Sequence, residues 1–145
     1  MSDTFHLQRF IDAQDSVYAD VIAELTQGRK ESHWMWFIFP QFAGLGQSPT
    51  AIHYSVTSEA EARAYLEHPI LGPRLLECAD KVLQFNNKSA DEVFGQIDAM
   101  KLRSSMTLFD HLQANSVFRS VLEQFFHGQR DQKTLALLES ASSSQ

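Results

Sequence analysis

The densest run of aromatic residues in the chain is Ser32-His33-Trp34-Met35-Trp36-Phe37-Ile38-Phe39-Pro40-Gln41-Phe42-Ala43-Gly44-Leu45-Gly46-Gln47-Ser48-Pro49, which holds both tryptophans and three of the eleven phenylalanines. Ring surface concentrated in so short a span either forms a core or lines a binding site. The part from His33 to Phe39 is apolar on all sides and only seven residues long, which predicts a short, fully buried helix. A strand is the alternative, because aromatic residues favour pleated surfaces, but no second strand is evident to pair with it.

Helical periodicity dominates the rest of the chain and predicts an all-α fold, with one compact multihelical domain over residues 1–139 and a flexible polar tail over residues 140–145. Ser58 with Glu61 and Ser89 with Glu92 each match a capping box, in which the two side chains satisfy free N–H groups at a helix start. The predicted helices run from Gln14 to Thr26, from Ser58 to Leu66, from Pro73 past Leu83, briefly after Ser89, from a cap at Asp98 to about Gln113, and onward from Asn115 or Ser116 and from Asp131.

Composition narrows the classes of protein and partner. The 145 residues suit one domain, and the formal charge of −6 opposes a broad electrostatic footprint on DNA or RNA. The single cysteine, Cys78, cannot form an internal disulfide and is expected to be a buried thiol. No run approaches the roughly 20 apolar residues of a membrane span, and the N-terminus lacks a signal-peptide pattern. We therefore expect a cytoplasmic protein without membrane contact.

Polar side chains on faces that periodicity assigns to the core are the informative exceptions. At 100° per residue, Asp98, Lys101 and Ser105 fall on the same arc of their helix as Leu102, Phe109 and Leu112. Gln14 likewise falls within the apolar stripe of the first predicted helix. A buried polar group without a partner costs several kcal/mol, so these groups need each other, ordered water or a ligand. A polar cavity in a helical core would satisfy them.

This cavity has a functional interpretation and a structural one. In the first, it is a ligand pocket with an ionic group at Lys101 and aromatic walls from Trp34, Trp36 or Phe39. Its polar contacts come from Gln14, Gln41, Ser48 and Ser105. Such a mixture suits a small ligand with a flat ring and a phosphate or hydroxyl portion. In the second, Asp98 caps its helix and neutralises Lys101 three residues on, within a purely structural network. No histidine shows metal-ligand spacing, so we predict no metal, and the pattern names no cofactor.

Several motifs resemble a small bacterial and fungal family of unknown function that is sometimes mislabelled "calpastatin". They are Gly28-Arg29-Lys30, the run from Ser32 to Gln41, Gly44-Leu45-Gly46, the stretch from Tyr65 to Gly72, and the stretch from Phe94 to Phe109. The resemblance covers nearly the whole chain and implies a compact multihelical fold with a short buried central helix. It implies no activity.

A second resemblance, to the helical family associated with NAD and ADP-ribose metabolism, is shorter. It rests on the order of three features, which are the segment from Leu66 to Leu71, then Asp91, then Phe94-Gly95, with Phe where that family has Trp. It implies a nucleotide-like ligand such as an ADP-ribose derivative.

Two functions follow as hypotheses. The chain either binds, and in one version hydrolyses, a nucleotide-like ligand, or it is a non-enzymatic interaction domain in which exposed rings of the loop from Pro40 to Pro49 contact a protein partner. Hydrolysis of a glycosidic bond would need an acidic group near an oxocarbenium-like centre, for which Asp98 is the candidate. Lys101 would then hold phosphate or stabilise leaving-group charge, and His33 would carry a proton.

Overall fold

Helices make up most of the structure, a computed structural model that describes residues 4–113 and 116–143. The all-α fold predicted from periodicity is confirmed. Between the helices of this described part, the only β pairing is an isolated parallel bridge that joins Phe42 to Val56. The helices are α1 Gln8–Asp15, α2 Tyr18–Gln27, α3 Met35–Ile38, α4 Pro49–His53, α5 Glu59–Glu67, α6 Leu71–Leu83, α7 Ala90–Phe94, α8 Gln96–Leu112, α9 Val117–Phe126 and α10 Gln132–Ser143.

The long helix α8 occupies the centre of the molecule. It packs against α3, α5, α7, α9 and α10, and every residue from Ser104 to Asp110 is buried. Because helices pack against α8 on several sides, its apolar residues are spread over a broad part of its surface. The first turn of α8 stays near the surface, since Gln96 and Ile97 are exposed.

The aromatic run forms the short helix α3 as predicted. Met35, Phe37 and Ile38 are buried within it, and Trp34 and Phe39 are buried on either side. The rings of Trp34 and Phe39 pack against Phe94 at centroid distances of 6.4 and 6.3 Å. His33 and Trp36 are the exceptions, because His33 is exposed and Trp36 is half-buried at the surface. The run therefore supplies both core and surface.

A buried carboxylate, that of Glu24, holds the segment that leads into α3. It accepts hydrogen bonds from the N–H of Glu31 at 2.7 Å, the N–H of Ser32 at 3.0 Å and the indole Nε1 of Trp34 at 2.9 Å. The hydroxyl of Ser32 donates a further one. Burial alone would raise the pKa of Glu24, but these donors from Ser32, Glu31 and Trp34 outweigh it and lower the pKa to about 2.

The N-terminal helix was predicted wrongly. One helix was expected from Gln14 to Thr26, whereas α1 ends at Asp15 and α2 begins at Tyr18. The apolar pattern after Val17 belongs to α2 alone. Gln14 instead shares the buried face of α1 with Phe10 and Ile11.

Of the two capping boxes predicted from the sequence, one forms completely and the other forms in part. Ser89 and Glu92 form the complete predicted capping box. Ser58 accepts from the N–H of Glu61, but the Glu61 carboxylate turns away from it to Thr57 and Arg9, so half of that box is absent.

The remaining helix ends bring one correction and two confirmations. Asp98 was predicted as the cap of the long helix, but Gly95 is its N-cap and Asp98 lies in its first turn. Residues 140–143 belong to α10 and residues 144–145 lie outside the described residues, so the flexible tail over residues 140–145 stays a prediction. Ser116 caps α9 and Asp131 accepts from the N–H of Thr134, as predicted, whereas the alternative start at Asn115 lies outside the described residues.

Replacing Gly72 by Ala should destabilise the fold. A Cβ at this position would lie 2.2 Å from the carbonyl oxygen of Leu66. Overpacking of this kind costs typically about 1–3 kcal/mol. A change from Gly to Ala at an unhindered helix position would instead stabilise by roughly 0.5–1 kcal/mol. Urea unfolding of both proteins gives the sign, and a midpoint at or above that of wild type would contradict the proposed close approach.

The stabilising effect of Glu24 should disappear in acid. Its pKa falls from about 4.5 to about 2 on folding, so its contribution is present above pH 4.5 and is lost as the pH falls towards 2. The unfolding free energies of wild type and Glu24→Gln should differ by up to about 3 kcal/mol more at pH 6 than at pH 2. Glu67→Gln, at an exposed carboxylate, serves as the control. Parallel curves for wild type and Glu24→Gln would refute the assignment.

Candidate functional site

A cavity of about 460 Å³ lies where the segment entering α3 meets the junction of α7 and α8. Four residues singled out in the sequence line it, namely His33, Trp36, Asp98 and Lys101. The other lining residues are Lys30, Met35, Phe94, Gly95, Gln96 and Ile97. We call this space the ionic cavity.

Asp98 lies between two ammonium groups in the ionic cavity. Lys30 Nζ is 2.8 Å from Asp98 Oδ2, and Lys101 Nζ is 3.4 Å from Asp98 Oδ1. Each ammonium also lies over an indole, Lys30 at 5.0 Å from the centroid of Trp34 and Lys101 at 4.8 Å from that of Trp36. Two cations against one carboxylate leave the cluster with one formal positive charge.

The two lysines differ in access to solvent. The side chain of Lys30 is 6% exposed, and its Nζ also donates to the carbonyl oxygen of Ser32 at 2.5 Å. The side chain of Lys101 is 24% exposed and that of Asp98 is 20% exposed. Lys30 is therefore the inner, fixed cation and Lys101 the outer one, whose ammonium has three donors.

The start of α8 adds to the positive character of the ionic cavity. Its N-cap is Gly95, which has a φ of 83° and provides no side-chain cap. The first N–H groups of a helix have no partner within the helix, and they carry a partial positive charge. Gln96 and Ile97, the first two residues of α8, line the cavity. The positive φ explains a glycine here, because it allows the chain to turn from α7 directly into α8.

A second cavity of about 580 Å³ adjoins the first, and we call it the aromatic cavity. His33 and Trp36 line both, so the two spaces meet along these side chains. Its other lining residues are Phe37, Pro49, Thr50, His53 and Tyr54. Within the described part of the chain, this lining contains no Lys, Arg, Asp or Glu.

Two of the predicted pocket residues belong to the core instead. Gln14 donates to the carbonyl oxygen of Phe37 at 2.7 Å and the hydroxyl of Tyr65 at 3.0 Å, and its own oxygen accepts from Arg74 at 3.2 Å. Trp34 is buried and is bonded to Glu24. Protein groups therefore satisfy both polar functions.

Three others also lie away from the ionic cavity. Ser48 caps α4 by accepting from the N–H of Ala51 at 3.1 Å. Gln41 is half-buried, and its carbonyl oxygen accepts from the N–H of Val56 at 2.9 Å. Ser105 is fully buried, and its hydroxyl has no hydrogen-bond partner among the residues that the structure describes. The expected single pocket that joins these side chains to Lys101 is not formed.

The loop proposed as a protein-binding surface does not expose its ring. Phe42, the aromatic residue between Pro40 and Pro49, is only 4% exposed. The parallel bridge between Phe42 and Val56 explains this burial, because it holds the backbone of the loop at Phe42 beside that of Val56. That version of the interaction hypothesis is wrong.

Sequence reasoning missed Lys30 and the aromatic cavity. Lys30 lies outside any periodic segment, and its N–H donates to the carbonyl oxygen of Val93 at 2.7 Å. The position of Lys30, a basic residue just before the aromatic run, was the feature of the sequence that could have identified it as a site residue. No such signal placed Thr50, His53 and Tyr54 beside Trp36, because that contact depends on how the loop after Phe39 returns.

The single cysteine, Cys78, is not among the residues that line the two cavities. Burial raises the pKa of Cys78 to about 12, and this thiol is buried as predicted. Among residues 4–113 and 116–143, no group of three or more His, Cys, Asp or Glu side chains could hold a metal ion. Over the same described ranges, no helix is long and apolar enough to cross a membrane.

Comparison with known proteins gives a family and a solved relative. No curated protein matches the chain significantly. The crystal structure of the conserved hypothetical protein Rv1873 from Mycobacterium tuberculosis is similar, with 50% identity, a TM-score of 0.93, and coverage of 94% of this chain and 99% of that one. The model of a family described as "Protein of unknown function (DUF1810)" matches residues 4–138, and that description contains neither the calpastatin label nor a link to ADP-ribose. The chain therefore belongs to the DUF1810 family.

Proposed function

We propose that the ionic cavity binds a small ligand that carries a phosphate group and a flat ring, such as a nucleotide or an ADP-ribose derivative. The observation that carries this proposal is the pair of ammonium groups around one carboxylate at the start of α8, where Gly95 provides no side-chain cap. The chain as a whole has a formal charge of −6, so a local positive excess stands out.

Phosphate suits this cluster for two physical reasons. Helix N-termini bind anions through their free N–H groups and the helix dipole. Ammonium groups form short, charge-assisted hydrogen bonds with phosphate oxygens. Lys101 would supply these bonds, because it is the more exposed cation, while Lys30 keeps Asp98 paired from the inner side.

A flat ring suits Trp36. This indole is half-buried beside the cluster, so one part of it is available for stacking. Aromatic rings bury a large area and favour offset or edge contacts with other rings. The volume of about 460 Å³ falls within the 300–1,000 Å³ range typical of small-molecule sites.

Binding is proposed here, and hydrolysis is not. Each oxygen of Asp98 faces one lysine ammonium, at 2.8 and 3.4 Å, so the carboxylate positions the two cations. His33, the expected proton carrier, is exposed and has no described hydrogen bond that would orient its ring. A catalytic base is usually oriented by a third group. Asp98, Lys101 and His33 are therefore proposed as binding residues.

Lys101→Met should abolish ligand binding and leave the fold intact. Asp98 keeps Lys30 as a partner in this variant, and Lys101 is partly exposed, so we expect the unfolding free energy to change by less than about 1 kcal/mol. A ligand at 100 times its dissociation constant stabilises a fold by about 2.7 kcal/mol, or several degrees in Tm. The measurement is a thermal-shift titration of wild type and variant with ADP, ADP-ribose and NAD.

Lys133→Met is the matched control, because it removes an exposed lysine on α10. It should keep the full ligand-induced shift. Equal shifts in wild type and Lys101→Met would show that the ligand binds elsewhere. A loss of several kcal/mol of stability in unliganded Lys101→Met would favour the alternative in which the cluster is purely structural.

A further inference from the structure

We infer that the ligand spans both cavities, with its phosphate in the ionic cavity and its ring in the aromatic cavity on the other side of Trp36. This inference rests on the proposed function and specifies it, since it assigns the ring a separate compartment. The ligand class becomes a nucleotide whose base and phosphate lie on opposite sides of one indole.

The contrast in charge between the two cavities is the first argument. The ionic cavity contains Lys30, Asp98 and Lys101, whereas none of the described residues that line the aromatic cavity is Lys, Arg, Asp or Glu. A phosphate group is favoured less there than in the ionic cavity, because no lysine or arginine of this lining offsets its loss of hydration. A neutral, planar ring fits this lining, because stacking needs ring surface and no charge.

The arrangement of rings in the aromatic cavity is the second argument. Tyr54 lies 5.3 Å from Phe37 and 4.6 Å from His53, measured between ring centroids. The His53 ring stands almost perpendicular to it, at 82°. Phe37 is buried in α3, so this wall is anchored to the core and loses little freedom when a ligand binds.

The shared wall is the third argument and selects the occupant. His33 and Trp36 border both cavities, and Lys101 Nζ already lies 4.8 Å from the Trp36 centroid. A nucleotide joins an uncharged ring to a phosphate through one sugar, which matches a compartment lined mainly by rings next to one that holds two lysines. Polar groups at the aromatic cavity, the hydroxyls of Thr50 and Tyr54, can bond the edges of a base.

Calorimetric titration with two probes, ADP and pyrophosphate, tests the inference. Pyrophosphate retains the charged part of ADP and lacks the ring. Thr50→Trp, at an exposed position, places a bulky side chain at the aromatic cavity. We expect this variant to bind ADP at least about tenfold more weakly, and to bind pyrophosphate as wild type does. Lys101→Met should weaken both probes.

Two further variants serve as a matched control and as a second test of the aromatic cavity. Thr26→Trp makes the same substitution at an exposed position on α2 and should leave both affinities unchanged. His53→Ala removes one ring of the aromatic cavity and keeps the carbonyl oxygen that accepts from Arg9, so it serves if Thr50→Trp fails to fold. It should weaken ADP selectively.

The outcomes separate the two claims. Unchanged ADP affinity in Thr50→Trp or His53→Ala, combined with a loss in Lys101→Met, would overturn the two-compartment ligand and leave the proposed function standing. Equal weakening of ADP and pyrophosphate by Thr50→Trp would also overturn it. Failure of wild type to bind either probe would overturn both claims.

Discussion

Four hydrogen bonds to the buried carboxylate of Glu24 fix the segment between α2 and α3. This segment carries Lys30 and His33, and its end fixes the start of α3, from which Trp36 reaches the surface. Without the carboxylate, the N–H groups of Glu31 and Ser32 and the Trp34 indole would lose their acceptor. The loss costs about 1–3 kcal/mol at the buried Trp34 indole and less at Glu31 and Ser32, which are exposed residues. The geometry of both cavities therefore depends on a residue that lines neither of them.

The charges of the ionic cavity are arranged in layers. Lys30 lies between Trp34 and Asp98 on the inner side, and Lys101 lies between Trp36 and Asp98 on the outer side. An ammonium over an indole is stabilised by the ring quadrupole, so each lysine has a second partner besides the carboxylate. This arrangement keeps a net positive charge at a partly buried place, which a folded protein otherwise avoids. A bound anion would neutralise this net positive charge.

The fold was largely predictable because periodicity and capping act locally. The apolar spacing in α2, α6 and α9 and the capping box at Ser89 depend on residues within one or two turns of each other. The role of Glu24 depends on donors in Glu31, Ser32 and Trp34, which lie beyond one or two helical turns. The break between α1 and α2 follows Gln14, whose amide bonds to Phe37 and Tyr65 in other segments. The site was predictable in part for the same reason, because Asp98 and Lys101 share one helix face. A polar residue on an apolar face does not, however, show whether protein groups or a ligand satisfy it. Gln14 is such a residue, and its amide is satisfied by protein groups.

A crystal structure of the protein grown with saturating ADP tests the central claim most directly. We predict density for the diphosphate beside Lys101 and the first N–H groups of α8, and for the adenine between Trp36 and Tyr54. Adenine in the ionic cavity would contradict the division into two compartments. Density for ADP at another surface, with both cavities filled by water alone, would contradict the account of this site as a nucleotide-binding site.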